Sequence, residues 1–254
     1  MPEQSTSAII INIRDFGEID RIVTFYTCDF GKVAGIAKGA RKSQRRFGAA
    51  LDLFSHVALS FFTKETLGLV RVNHLQLLNP FPSLHEDIMR MGYGGYLAEL
   101  VMEMTAEGMP NKELFETLVR FFFILDTYPL KEDYLHIFEM RLLDALGYRP
   151  CLDRCTHCKK DLKEEDVLRF SLSRGGVVCS TCNADYKNLY PVSLGTLKLL
   201  QQSYTLSLDK IQRLVFSSQA LEESREILPH FIQYHSEKEL NTLKFIEKMR
   251  WTLS

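Results

Sequence analysis

Two cysteine pairs constrain this chain more than any other feature. Cys155-Thr156-His157-Cys158 is followed, after twenty intervening residues, by Cys179-Ser180-Thr181-Cys182. Each CxxC turn folds two thiolates towards one point, and two such turns together make a closed tetrahedral sulfur shell for zinc. Four cysteines leave no open position for water or substrate, so the spacing predicts a structural zinc held by Cys155, Cys158, Cys179 and Cys182. Between the pairs, Phe170-Ser171-Leu172 and Gly175-Gly176-Val177-Val178 read as a short hairpin that delivers the second turn. A thioredoxin-like role would want one CxxC in a βαβ unit, and no such unit is visible. Cys151 and His157 are decoys or spare ligands beside the pairs. Cys28 reads as a buried small hydrophobe at a strand end.

Residues 7–78 read as β. The runs 8–13, 21–27, 32–37, 56–62 and 69–73 are rich in β-branched and aromatic side chains. Five such runs at close spacing predict a small barrel, with the OB type as the candidate. Gly35, inside the third run, suits a bulge or a sharp bend. Asn79-Pro80-Phe81-Pro82 then breaks the pattern, because two prolines interrupt any regular hydrogen-bond ladder. The domain boundary is expected there, with a barrel over residues 1–80 and a helical domain over 81–254. The zinc module occupies about 151–190 within the second. Ser83-Leu84-His85-Glu86 has capping-box form with Ser83 as N-cap, and Asn111 opens a second helix. Residues 134–146 make a third, ended by Gly147 and Pro150. The tail reads as helical, with breaks near Ser203 and Pro229. The expected class is α+β.

The net charge of −1 over 254 residues says nothing about partners, but its distribution does. No acid falls between Asp29 and Asp52, a span that holds Lys32, Lys38, Arg41, Lys42, Arg45 and Arg46. Acids such as Glu222 and Glu223 compensate later. On a barrel, the stretch from Lys38 to Gly48 is a long connection emerging from one rim. Its cations Lys38, Arg41, Lys42, Arg45 and Arg46 would neutralise phosphates and release counterions, giving salt-sensitive affinity for nucleic acid. Phe16, Tyr26 and Phe47 could stack on unpaired bases, although burial in the barrel is the competing role. The competing reading of the cations is a solvated loop.

Catalytic motifs are missing. There is no GxxxxGK[ST], no GxGxxG, no HExxH and no GxSxG. The histidines are scattered. No leader layout opens the chain, and no apolar run approaches the roughly 18 residues of a membrane span. A cytoplasmic, non-enzymatic, DNA-binding protein is the expectation. An RNA-binding OB and zinc protein, or a protein-interaction scaffold, is the alternative, with a zinc hydrolase further behind.

Three segments carry a resemblance to a known family. Gly17-Glu18-Ile19-Asp20-Arg21-Ile22-Val23-Thr24-Phe25-Tyr26-Thr27, then Phe30-Gly31-Lys32, then Ala37-Lys38-Gly39-Ala40-Arg41-Lys42 resemble the N-terminal signature of the bacterial recombination mediator family RecO. The order continues with the barrel strands from Leu51 to Phe62, the helices after Pro82 and the two CxxC pairs. The resemblance implies an N-terminal OB-fold and a helical C-terminal domain, with zinc in many members. It implies binding of single- and double-stranded DNA and annealing of complementary strands. It also implies work with RecR, contact with the acidic C-terminal tail of the single-stranded-DNA-binding protein (SSB), and loading of the RecA recombinase. A bacterial, nucleoid-associated location goes with these. Lys198, Lys210, Arg213 and Arg225 are cations that a tail-binding pocket could draw on. In the family the first CxxC often runs into a glycine; here Lys159 follows.

Overall fold

Alternation with a period of two builds the first part of the chain. In the computed structural model, which describes residues 3–42, 47–63, 68–163, 167–182 and 187–253, five strands close into a barrel. They are β1 (Glu3–Phe16), β2 (Asp20–Thr27), β3 (Gly31–Ala37), β4 (His56–Phe62) and β5 (Val70–Asn79), in the order β1-β2-β3-β5-β4. Along β4, Val57, Leu59 and Phe61 are buried and the residues between them are half-buried. They meet Ala8, Ile10, Val23, Phe25, Val72 and Leu75 inside. Phe47, just before a single 3₁₀ turn (Gly48–Leu51), and Leu51, its last residue, join the same core. The fifth strand outruns the expected 69–73, because Leu75 and Leu77 resume the inward alternation after a register shift at Asn73.

Gly35 is not a bulge, which corrects the sequence reading. The β2–β3 register runs unbroken from Arg21↔Ala37 to Thr27↔Gly31, and the register shifts lie elsewhere, in β1 between Ile10 and Asn12 and at two points of the β4–β5 pairing. Gly35 instead sits where β3 meets β5 in parallel to close the barrel. A β-carbon there would come within 2.9 Å of Val72 Cγ2 and 3.0 Å of Val70 Cγ2. The missing side chain makes room for closure.

Two compact units divide the chain: Met1–Leu130 with Asn241–Ser254, and Lys131–Leu240. In the first, the barrel carries α1 (Ser83–Glu86), α2 (Ile88–Met104), α3 (Lys112–Thr127) and α7 (Asn241–Leu253). The capping box fails. Ser83 makes no side-chain cap, its N–H goes to Asp126 Oδ1 at 2.8 Å, and α1 is a single turn. The main helix starts one turn later at Asp87, whose carboxylate accepts from the N–H groups of Met89 and Arg90, both at 2.8 Å. One carboxylate oxygen serves two of the helix's open donors, and its charge suits the positive end of the helix dipole. Asn111 caps α3 as expected, accepting from Leu114 N. Gly92 and Gly95 of α2 face α7, where added β-carbons would lie 3.3 Å from Ile246 and Thr242. These two glycines seat a close helix pair, while the third of α2, Gly94, faces Phe54.

The Phe30-Gly31-Lys32 segment is also explained within this unit. Gly31 has φ +64°, and a β-carbon there would collide with the backbone of Met109. Lys32 reaches the open end of α2, donating to the carbonyls of Met102 at 2.5 Å and Thr105 at 2.6 Å. A cation at a helix C-terminus satisfies carbonyls and the dipole together. Burial pushes the Lys32 ammonium below its ordinary pKa, opposed by Glu103 and Glu107.

The second unit holds α4 (Asp133–Ala145), α5 (Leu194–Thr205), a 3₁₀ segment (Leu208–Arg213) and α6 (Ser218–Ser236). A small sheet, β7-β6-β8, is formed by β6 (Arg169–Ser171), β7 (Gly176–Val178) and β8 (Leu189–Pro191). The expected hairpin is β6–β7. The break expected at Pro229 is absent: α6 runs through it, with Pro229 buried among Ile227, Leu228, Phe231 and Ile232. Packing of that apolar face outweighs the one backbone hydrogen bond that proline removes. No helix among the described residues is long and apolar enough to cross a membrane.

Candidate functional site

The β1–β2 hairpin and the basic connection form one rim of the barrel. Register places Asp15 opposite Arg21 and Phe16 opposite Asp20. The connection after β3 is strapped to this hairpin. Arg41 N donates to Ile19 O at 3.0 Å, and Gly39 N donates to Asp20 Oδ1 at 2.7 Å. Arg41 Nε lies 3.8 Å from Asp15 Oδ2, and Arg21 Nε donates to Asp15 Oδ1 at 3.3 Å. Thus two of the three acids of the rim are engaged, Asp15 by two guanidinium groups and Asp20 by a backbone amide, while Glu18 in the turn is exposed. Arg14, Lys38, Arg41 and Lys42 are exposed.

Three of the five expected DNA contacts, Lys38, Arg41 and Lys42, therefore sit together on this rim. Arg45 and Arg46 lie outside the described residues. Lys32, counted in the acid-free span, is spent on α2 and adds nothing to the rim. Arg14 and Arg21 join it, although the sequence reading passed over them. The signal was the pairing of two runs through the Gly17 turn, which folds Arg21 back beside Asp15. Of the three aromatics weighed, Tyr26 and Phe47 are buried and only Phe16 is exposed, at 50%.

The cysteine cluster lies in the second unit. The sulfurs of Cys155, Cys158, Cys179 and Cys182 all lie within 4.8 Å of one another. All four are free thiols, with Cys158 Sγ 3.7 Å from Cys179 Sγ. A tetrahedron with metal–sulfur bonds of about 2.3 Å has edges of about 3.8 Å, so the cage matches a four-coordinate ion of that kind. Cys179 N donates to Cys155 Sγ at 3.5 Å, the amide–sulfur contact that steadies a thiolate. Strand pairing sets the cage: Thr156 N donates to Val177 O at 2.7 Å, tying the first turn to β7.

Electrostatics point the same way. Burial pushes the Cys155 thiol up, but the backbone amides of Cys158, Cys179 and His157 outweigh it and hold it at about 6. The Cys182 thiol goes the other way, pushed up to about 12 by burial and by its thiol neighbours. Four thiolates in one cage repel each other unless a cation sits among them. The donor set could hold a metal ion, and all-sulfur ligation suits zinc.

Lys159 closes the first turn. Its N–H donates to Cys155 O, and Cys155 N donates to Lys160 O, both at 2.9 Å. This conformation puts Lys159 at φ +63°, the left-handed region that favours glycine. Cys151 directs its thiol at Asp153 Oδ1, 3.4 Å away, and His157 is exposed. Cys28 is half-buried in the turn after β2, less enclosed than the sequence reading had it.

Known proteins align along the chain. The family model described as recombination protein O N terminal matches residues 1–81, and the one described as recombination protein O C terminal matches residues 85–244. A DNA repair protein RecO from Syntrophobacter fumaroxidans is 37% identical over 254 residues, covering 99% of this chain and 100% of the relative. One from Syntrophus aciditrophicus is 34% identical over 247 residues, covering 96% and 95%. A third, from Anaeromyxobacter dehalogenans, is 32% identical over 249 residues, covering 98% of each.

Proposed function

Since this chain belongs to the recombination protein O family, we propose that it is a non-enzymatic DNA-binding mediator of recombination. Membership carries a role in DNA repair and recombination. The finer reading is that it binds single- and double-stranded DNA, anneals complementary strands and, with RecR, helps load RecA on strands coated by the single-stranded-DNA-binding protein. It works in the bacterial cytoplasm at the nucleoid. The observation that carries this is the strapped rim, on which Lys38, Arg41 and Lys42 are exposed while Asp15 and Asp20 are already engaged. Cations presented this way can meet phosphates with two of the rim's three acids already engaged, Glu18 in the hairpin turn being the exposed one.

In this reading residues 1–80 form the DNA-binding domain and 81–254 the helical domain, with a zinc module at about 151–190. Cys155, Cys158, Cys179 and Cys182 hold the zinc, which supplies folding energy there and no chemistry. For the acidic tail of the single-stranded-DNA-binding protein, a cavity of about 300 Å³ is the better site than the last helices. Phe81, Phe115, Val119 and Phe123 line it with Arg120 and Glu116. Arg225, one of the cations considered earlier, is held by both oxygens of Glu132 at 2.5 and 2.6 Å.

The test is fluorescence anisotropy with a labelled single-stranded oligonucleotide, with and without its complement, across a salt series. Tight binding that falls steeply with salt, together with faster annealing, supports the reading. Changing Arg41, Lys42, Arg45 and Arg46 to Ala should weaken binding and flatten the salt slope, by about one counterion for each phosphate no longer neutralised. Unchanged binding in that variant removes the assignment of the rim. RNA of the same sequence as competitor separates the RNA-binding alternative.

A further inference from the structure

We infer that Phe16, at the tip of the β1–β2 hairpin, stacks on an unpaired base and gives the rim its discrimination between single strand and duplex. The inference rests on the DNA-binding reading of the rim and adds a non-electrostatic contact to it. Phe16 is 50% exposed and its neighbour at the turn, Ile19, is 40% exposed. The other two aromatics considered for stacking are packed away, Tyr26 at 0% and Phe47 at 3% exposure. A single exposed aromatic is ordinary on a protein surface. What sets this one apart is its surroundings.

The hairpin has two faces, because successive side chains alternate. Phe16 pairs with Asp20, and Arg14, two residues back, shares its face. Asp15 and Arg21 form the next pair and take the opposite face, where Arg41 joins them. Asp20, the acid on the aromatic face, is taken up by the Gly39 amide. Phe16 is thus left beside the exposed Arg14, with its cross-strand acid Asp20 occupied and Glu18 exposed in the turn. A flat apolar ring with a cation alongside matches a nucleotide, ring to base and cation to phosphate. The same ring finds no open base face on an intact duplex, where stacking is already satisfied within the helix. The strap from Arg41 N to Ile19 O holds the tip and the basic connection as one piece, so both contacts reach one strand together.

The test uses the full chain with labelled oligothymidine and, separately, a labelled blunt duplex, comparing wild type with Phe16→Ala and Phe16→Trp. Base–aromatic stacking of ordinary strength predicts that Phe16→Ala loses about tenfold in affinity for oligothymidine. It should change less than about twofold on the duplex, keep the wild-type salt slope and unfold at the wild-type temperature. Phe16→Trp should restore oligothymidine binding. Equal losses on both probes, or no loss on oligothymidine in Phe16→Ala while wild type binds it, overturn the stacking role and leave the rim reading standing. Wild type that binds neither probe overturns both.

Discussion

Replacing His136 by Gln should cost the second unit about 3 kcal/mol at neutral pH and should erase a pH dependence that the wild type has. His136 is buried, with Nδ1 2.8 Å from Glu139 Oε2 and Nε2 3.8 Å from Glu132 Oε1. Glu139 is itself buried, and Glu132 is held by Arg225. Phe216 lies against the imidazole at 6.2 Å between ring centroids, and its N–H is taken by the neighbouring Asp133. Burial alone would push the imidazole pKa down. The charge of Glu139, the hydrogen bond to it and the nearby carboxylate of Glu132 overcome it and raise the value to about 9. Against the ordinary 6.5, that difference is worth about 3 kcal/mol of preference for the charged form in the folded state. Because the folded value is the higher, the contribution is fully present below about pH 6.5 and is lost as pH rises through about 9. Urea unfolding of wild type and His136→Gln, at half-unit steps from pH 6 to pH 10 in one zinc buffer, measures it. The gap between the two should be near 3 kcal/mol at the acid end and close towards pH 10. Equal pH dependence in both proteins would refute the reasoning, because thiol and metal effects are common to the two.

Lys159→Gly should raise stability by about 0.5–1 kcal/mol, since glycine relieves the left-handed strain at φ +63° and gives part back as unfolded-chain entropy. The midpoint of urea unfolding, with slope unchanged, checks it. Replacing Cys155 and Cys158 by Ala should lower bound zinc to background, lower the unfolding temperature and speed amide exchange in residues 151–182; unchanged zinc content would show the ligand assignment wrong. Lys32→Met should cost about 1–3 kcal/mol, because two carbonyls at the end of α2 lose a charged donor, and should leave the salt slope of DNA binding untouched.

Much of this architecture was legible because it rests on short-range rules. Period-two runs marked the strands, and the two CxxC turns marked the cage that the sulfurs of Cys155, Cys158, Cys179 and Cys182 form. Failures came where a distant partner overrode a local preference. Ser83 has the right neighbours for a cap, yet Asp126, forty-three residues on, takes its N–H and Asp87 caps instead. Pro229 should end a helix, yet the apolar face around it is buried and the helix continues. Gly35 reads locally as a defect in β3, and only the β3–β5 closure shows why it is there.

The site divides along the same line. A run of cations names a candidate surface, but composition does not separate a lysine that meets phosphate from one that meets a helix end. Lys32 and Lys38 lie in the same acid-free span, and their fates differ by location. Lys32 is on a strand within reach of Met102 and Thr105, whereas Lys38 is past the strand end in solvent. The acids are equally opaque in sequence. Asp15 and Asp20 precede the basic stretch and look as though they would dilute it. In the fold, Asp15 is neutralised by Arg21 and Arg41 and Asp20 caps Gly39, so they organise the rim. It follows that Asp20→Asn, which removes a negative charge from a surface proposed to bind polyanion, should not simply tighten DNA binding. Pure Coulomb attraction predicts tighter binding. Loss of the charge-assisted bond to Gly39 predicts a looser strap and weaker binding. If anisotropy shows Asp20→Asn binding more tightly than wild type at every salt concentration, the strap is not what presents Arg41 and Lys42, and net charge alone accounts for the rim.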